Sequence, residues 1–183
     1  MNFETKVSIK SLIHENQRMP GFPRLADFII SNPESMAELV GLAISDEEYP
    51  YPQYASWLLL HVARKNNLLV EPFYNQVIDG ILTTRNTSAL RSLLGASLCL
   101  PLKEYEQGRF LDRLFVLIND TDTKPGLINY SVRKLAEFIE MYPELLHELE
   151  LILKFREEMK VSPGIVIWSK TVLKKRRIKF VKA

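Results

Sequence analysis

Three histidines, His14, His61 and His147, and one cysteine, Cys99, are the residues of this 183-residue chain suited to holding a metal, moving a proton near neutral pH or attacking as a nucleophile. They are scattered, with no ligand spacing among them, so no metal residue is assigned. Cys99 lies in the apolar run Leu93–Leu100 with no basic neighbour in sequence to lower its pKa, and reads as a buried, inert thiol. A lone cysteine forms no intrachain disulfide and fits a reducing compartment. His147, beside Glu144 and Glu148, reads as solvated. His61 follows Trp57 by four residues in an apolar helical run, which makes Trp57 and His61 a candidate groove pair, with His61 a core or groove histidine rather than a base. Tyr49, Tyr51 and Tyr54 lie close by; such aromatics either pack between neighbouring helices or offer stacking faces to a base or a peptide.

Phosphate-cradling glycine loops and a nucleophile elbow are absent from the sequence, whose seven glycines are dispersed. The carboxylates Asp46-Glu47-Glu48 and Asp120/Asp122 fall in loops and read as solubilising turns. No catalytic residue and no cofactor is therefore assigned.

Charge is the one pattern with binding content. Residues 170–182 hold seven basic groups and no acid, leaving the remainder, with 17 basic and 22 acidic residues, at about −5. Lys170, Lys174, Lys175, Arg176, Arg177 and Lys179 are the candidate contacts to an anion or a nucleic acid. On a helix, Lys170, Lys174 and Arg177 share a face. That face is either the solvated outside of a capping helix or a contact to RNA, DNA or an anionic membrane surface. An acidic body opposes a nucleic-acid footprint over the whole surface.

The elements that position these residues follow from a repeat. Phe28-Ile29-Ile30-Ser31-Asn32-Pro33-Glu34-Ser35-Met36-Ala37-Glu38-Leu39 matches Phe138-Ile139-Glu140-Met141-Tyr142-Pro143-Glu144-Leu145-Leu146-His147-Glu148-Leu149 without gaps at Phe, Ile, Pro, both Glu and Leu. Val62–Phe73 is a weaker copy between them, and its distance to the last copy is twice 38, which leaves room for a fourth, degenerate copy over residues 88–118. Each copy reads as two helices joined at Asn32, Asn66 or Tyr142. A proline, or asparagine in the middle copy, opens the second helix, where a missing N–H costs nothing. Glu34 and Glu144 then complement the positive helix end.

Apolar periodicity predicts helices at 22–31, 33–44, 52–65, 69–83, 87–99, 105–119, 125–141, 143–159 and 163–179. The loop at 46–52 separates the first and second hairpins, Pro101 marks the turn inside the third, and residues 120–125 separate the third from the fourth. Ser162-Pro163 opens the last helix. Asp79-Gly80, without alternating flanks, reads as a helix end rather than a hairpin turn. With 46% hydrophobic and 25% charged residues the chain can bury a core. The expectation is an all-α fold, a short α-solenoid of about four helical hairpins plus a C-terminal capping helix, each hairpin covering the apolar face of the last.

Phe28–Leu39, Trp57–Phe73, and Pro125–Ile152 followed by Ser162-Pro163 resemble HEAT-like repeat proteins, most closely a group of small bacterial ones in which the same order of segments spans nearly the whole chain. Some of that group carry an adenylosuccinate lyase label, but the signature loop of that enzyme has no counterpart here. The resemblance implies the fold and transfers no catalytic residue. Ile165-Val166-Ile167-Trp168 departs from the polar, arginine-bearing last helix of the group.

The functional expectation is a single domain over 1–183, with 1–21 unassigned and 170–183 basic, acting as a non-enzymatic protein-interaction or scaffold module. The alternative is a nucleic-acid-binding protein using the basic C-terminal helix, in the manner of HEAT-like DNA glycosylases. The N-terminus lacks a signal-peptide pattern, and the longest apolar runs, such as Leu114–Ile118, fall far short of the roughly 20 residues needed to cross a bilayer. Membrane insertion is not expected, and a cytoplasmic location is.

Overall fold

The computed structural model describes residues 8–16 and 24–180, with residues 175–180 by backbone alone. Among them are α1 (Ile9–Asn16), α2 (Leu25–Ser31), α3 (Met36–Ala43), α4 (Tyr51–Lys65), α5 (Tyr74–Thr83), α6 (Thr87–Ser97), α7 (Gln107–Asn119), α8 (Pro125–Met141), α9 (Leu145–Glu158) and α10 (Pro163–Phe180), and no strand.

The repeated stretch turns the same way in all three copies. Asn32 (φ −129°, ψ 69°), Asn66 (φ −152°, ψ 86°) and Tyr142 (φ −130°, ψ 79°) leave the helical region with nearly one backbone conformation. Each N–H still donates back into the helix it ends, to the carbonyls of Ile29, Val62 and Phe138 at 3.1, 2.7 and 2.8 Å. One residue thus closes each helix without orphaning its own donor. The second helices start later than the sequence suggests. Pro33–Ser35 forms a 3-10 turn before α3, and Asn67–Leu69 and Glu71–Phe73 form two before α5. Proline fixes φ and removes a donor, and tight i→i+3 bonds such as Val70 N–H to Asn67 O (3.0 Å) and Phe73 N–H to Val70 O (2.9 Å) fill the first turn instead.

The chain divides into two compact units, Met1–Pro101 and Leu102–Ala183. The division falls at Pro101, so α6 completes the first unit and α7 begins the second. In the first, α4 is the central element, packing on α1, α2, α3 and α6, while α3 and α5 pair and α5 lies on α6. Its core carries Ala55, Leu58, Leu59, Val62, Leu93, Leu94 and Ala96, all fully buried. In the second, α8 packs on α7, α9 and α10, α7 packs on α9, and α9 on α10. Phe110 and Phe138 meet edge to face at 5.8 Å between α7 and α8. Within each unit helices two apart in sequence lie side by side as well as neighbours, the stacking pattern of an α-solenoid. A buried serine sits on each of α4, α6, α8 and α10, at Ser56, Ser92, Ser131 and Ser169, and its small side chain leaves room for closely packed helices.

Local expectations are corrected at Gly80, Cys99 and Asp120. Gly80 lies inside α5 rather than at its end, because a Cβ there would come within 2.6 Å of the Ile44 side chain; close approach, not a turn, requires the glycine. Cys99 is only half-buried, just past the end of α6, with its Sγ 3.8 Å from the Gly95 carbonyl. The apolar start of α10, where the chain departs from the polar last helix of the group it resembles, faces inward: Val166, Ser169 and Leu173 are buried, while Lys170 and Lys174 are exposed. Asp120 does more than solubilise its turn: Oδ1 accepts the Asp122 N–H at 3.0 Å and Oδ2 the Thr123 hydroxyl at 2.9 Å, and these bonds hold its carboxyl below the ordinary value of 3.8.

Candidate interaction surfaces

In the first unit, Gln53, Tyr54, Trp57 and His61 project from one face of α4 at helical spacing. Their rings form a continuous edge-to-face series, with Tyr49 to Tyr54 and Tyr54 to Trp57 each at 6.2 Å and Trp57 to His61 at 5.2 Å. Trp57 and His61, the sequence-predicted groove pair, are therefore in contact. Burial first, then the charges of Arg64 and Lys65, holds the His61 pKa below its ordinary 6.5, so the ring is neutral at pH 7. Its Nε2 is buried and, among the described residues, has no hydrogen-bond partner.

Beside this face the first turns of α6 bring up Ser88, Arg91 and Ser92, and with Gln53, Tyr54 and Trp57 they line a pocket of about 200 Å³. Asn86 caps α6 by accepting the N–H groups of Ser88 (3.1 Å) and Ala89 (3.0 Å), which fixes where that turn starts. Sequence reading did not assign Gln53, Ser88 or Arg91 to a site. They meet Trp57 only because α4 and α6, separated by α5, lie side by side.

In the second unit, α9 and α10 border a groove of about 600 Å³ lined by Glu150, Leu153, Lys154, Glu157, Lys170, Leu173 and Lys174. Two of the predicted anion contacts, Lys170 and Lys174, thus share one groove. They share it with two carboxylates, and Lys170 is ion-paired with Glu157. The side chains of Lys175, Arg176, Arg177 and Lys179 lie outside the described residues.

The outer side of α9 carries a second apolar stripe. Leu151, Phe155 and Met159, at four-residue spacing, are 55%, 46% and 58% exposed, while Leu149 and Leu153 face the core. An excess of apolar residues over what one buried face needs was the sequence signal for it.

His14 and His147 are exposed, on α1 and α9. Among the described residues no three histidine, cysteine or carboxylate side chains are placed to hold a metal ion, and no helix is long and apolar enough to cross a membrane.

A family model described as a HEAT repeat domain matches residues 9–176, from the first residue of α1 into α10. The chain belongs to the HEAT repeat domain family. No curated protein and no solved structure matches it. HEAT repeats generally mediate protein–protein interaction or scaffolding, through surfaces built from stacked helices. In this HEAT repeat chain the α4–α6 aromatic pocket and the apolar outer face of α9 are two such surfaces, alongside single exposed apolar side chains such as Val116 on α7 and Ile167 on α10.

Proposed function

We propose that this HEAT repeat chain is a non-enzymatic protein-interaction module that engages its partner through the outer face of α9. The observation that carries the reading is the exposed row Leu151, Phe155 and Met159. Three large apolar side chains on one exposed helix face cost hydration free energy until another apolar surface covers them. Flanking charges, including Lys154 and Glu158 at 4.0 Å from one another, frame the row with both signs, as at the rim of a protein interface. The fitting partner is a protein that presents an apolar ridge with a mixed-charge border.

A polyanionic partner is disfavoured by the α10 groove, where Glu150 and Glu157 offset the lysines. The test is affinity capture with the full chain against a double variant, Leu151→Ser with Phe155→Ser. The expected result is a protein retained by the native chain and lost by the variant, whose circular dichroism stays unchanged because both positions are exposed. Retention by both would overturn the assignment to α9. Binding to generic duplex DNA that weakens steeply with salt would move the function to the nucleic-acid class.

A further inference from the structure

We infer that the α4–α6 pocket of the first unit is a recognition site for a single acidic residue of an extended peptide, with the neighbouring aromatic or aliphatic side chain of that peptide resting on Trp57. The class of partner follows the protein-interaction reading, but the surface, the unit and the supporting observations are different.

Four features converge on one small space. Arg91 is exposed and, among the described residues, has no ion pair or hydrogen bond, so its five donors are uncommitted. Ser88 adds a hydroxyl in the same position; its backbone groups are engaged with Asn86 and Ser92, and its Oγ has no partner among the described residues. Across the pocket, Gln53 Oε1 is buried and, among the described residues, accepts no hydrogen bond; a turn of this half-buried amide brings the oxygen to a peptide N–H. Tyr54 and Trp57 supply the remaining wall, their mutual edge-to-face packing holding both rings in place.

A carboxylate entering between Arg91 and Ser88 accepts a two-pronged bond from the guanidinium and a third from the hydroxyl, while the adjacent backbone N–H turns to Gln53. The volume, about 200 Å³, suits one side chain and not a nucleotide. Charge points the same way. A nucleic-acid track needs a run of cations along the backbone, and the pocket supplies one. Outside residues 170–182 the chain carries about −5, which repels a polyanion far more than one carboxylate.

The test uses the full chain and two terminally blocked peptides, glycine–phenylalanine–glutamate–glycine and its glutamine counterpart, followed by NMR of the tryptophan indole signals. Expected is a saturable shift of the Trp57 signal with a Kd near about 1 mM for the glutamate peptide and binding at least about tenfold weaker for glutamine. The Trp168 signal stays in place. Arg91→Gln removes the response and Arg91→Lys restores part of it, since an ammonium keeps the charge without the fork. Absence of a shift, equal response to both peptides, or indifference to Arg91→Gln overturns the site, as does saturation by oligothymidylate in place of the peptide. Failure here with capture through α9 intact would sink this pocket alone; failure of both would sink the interaction reading itself.

Discussion

Arg156 of α9 donates from Nη1 to the backbone carbonyl of Ile118, 38 positions earlier in the chain, at 2.9 Å. The same nitrogen reaches the Asp120 carbonyl at 3.0 Å. Both carbonyls belong to the C-terminal end of α7, where a helix leaves acceptors unfilled and concentrates negative charge. The side chain is fully buried, and that burial lowers its pKa while the Asp120 carboxylate opposes the shift. Lys65 and Asp27, also 38 apart, link α4 to α2 by a different bond, an exposed ion pair at 2.7 Å.

Replacing Arg156 therefore removes the side chain by which α9 satisfies the end of α7. Arg156→Met is expected to cost about 3 kcal/mol, since the buried Ile118 carbonyl loses its charged donor and the part-buried Asp120 carbonyl keeps only the Thr123 N–H. Arg156→Lys keeps the charge but not the planar fork, and a smaller loss of about 1–2 kcal/mol follows. Urea unfolding of the two variants reads both values, and a loss below about 0.5 kcal/mol for the methionine variant would contradict the role assigned to Arg156.

Glycines separate by what surrounds them. Gly80→Ala forces a Cβ to within 2.6 Å of Ile44 Cγ2 and 3.1 Å of Leu93 Cδ1, and is expected to destabilise by about 1–3 kcal/mol. Gly41, inside α3, has nothing within 4 Å of the same added atom, so Gly41→Ala gains helix propensity, about 0.5–1 kcal/mol. Thermal melts of the pair should move in opposite directions, and a common direction would show that the α5 packing described above is wrong.

His61 gives a pH dependence whose sign is fixed by its depressed pKa. Above its ordinary 6.5 the ring is neutral folded and unfolded, and contributes no pH-dependent change. Below that value the unfolded chain takes up the proton first, so stability falls with acidification until the folded-state pKa is passed. Replacing it by glutamine should flatten stability measured between about pH 7 and pH 5. An unchanged slope in His61→Gln would assign the acid sensitivity to other groups.

The repeat was legible because its physics is local. A helix that must stop, one residue that turns out of it, and a proline or asparagine that begins the next are all specified within a dozen residues, and Asn32, Asn66 and Tyr142 share one backbone shape for that reason. Helix positions were legible from apolar spacing, because one buried face of a helix recurs every three to four residues. Boundaries were less so: 3-10 turns at Pro33 and before α5 displace helix starts by a few residues, an adjustment made by competing i→i+3 bonds that side-chain pattern does not encode.

From residues alone came the all-α class, the repeat with its interval near 38, and the pairing of Trp57 with His61 one helical turn apart. Which residues from other helices face that pair came only from packing. Arg91 and Ser88 reach Trp57 because α4 and α6 lie side by side, and Glu157 meets Lys170 because α10 folds back along α9. The even spacing of a helix announces which side chains share its own face. Which side chains face one another across two helices depends on where their axes cross, and that is set by the summed shape of buried side chains distant in the chain.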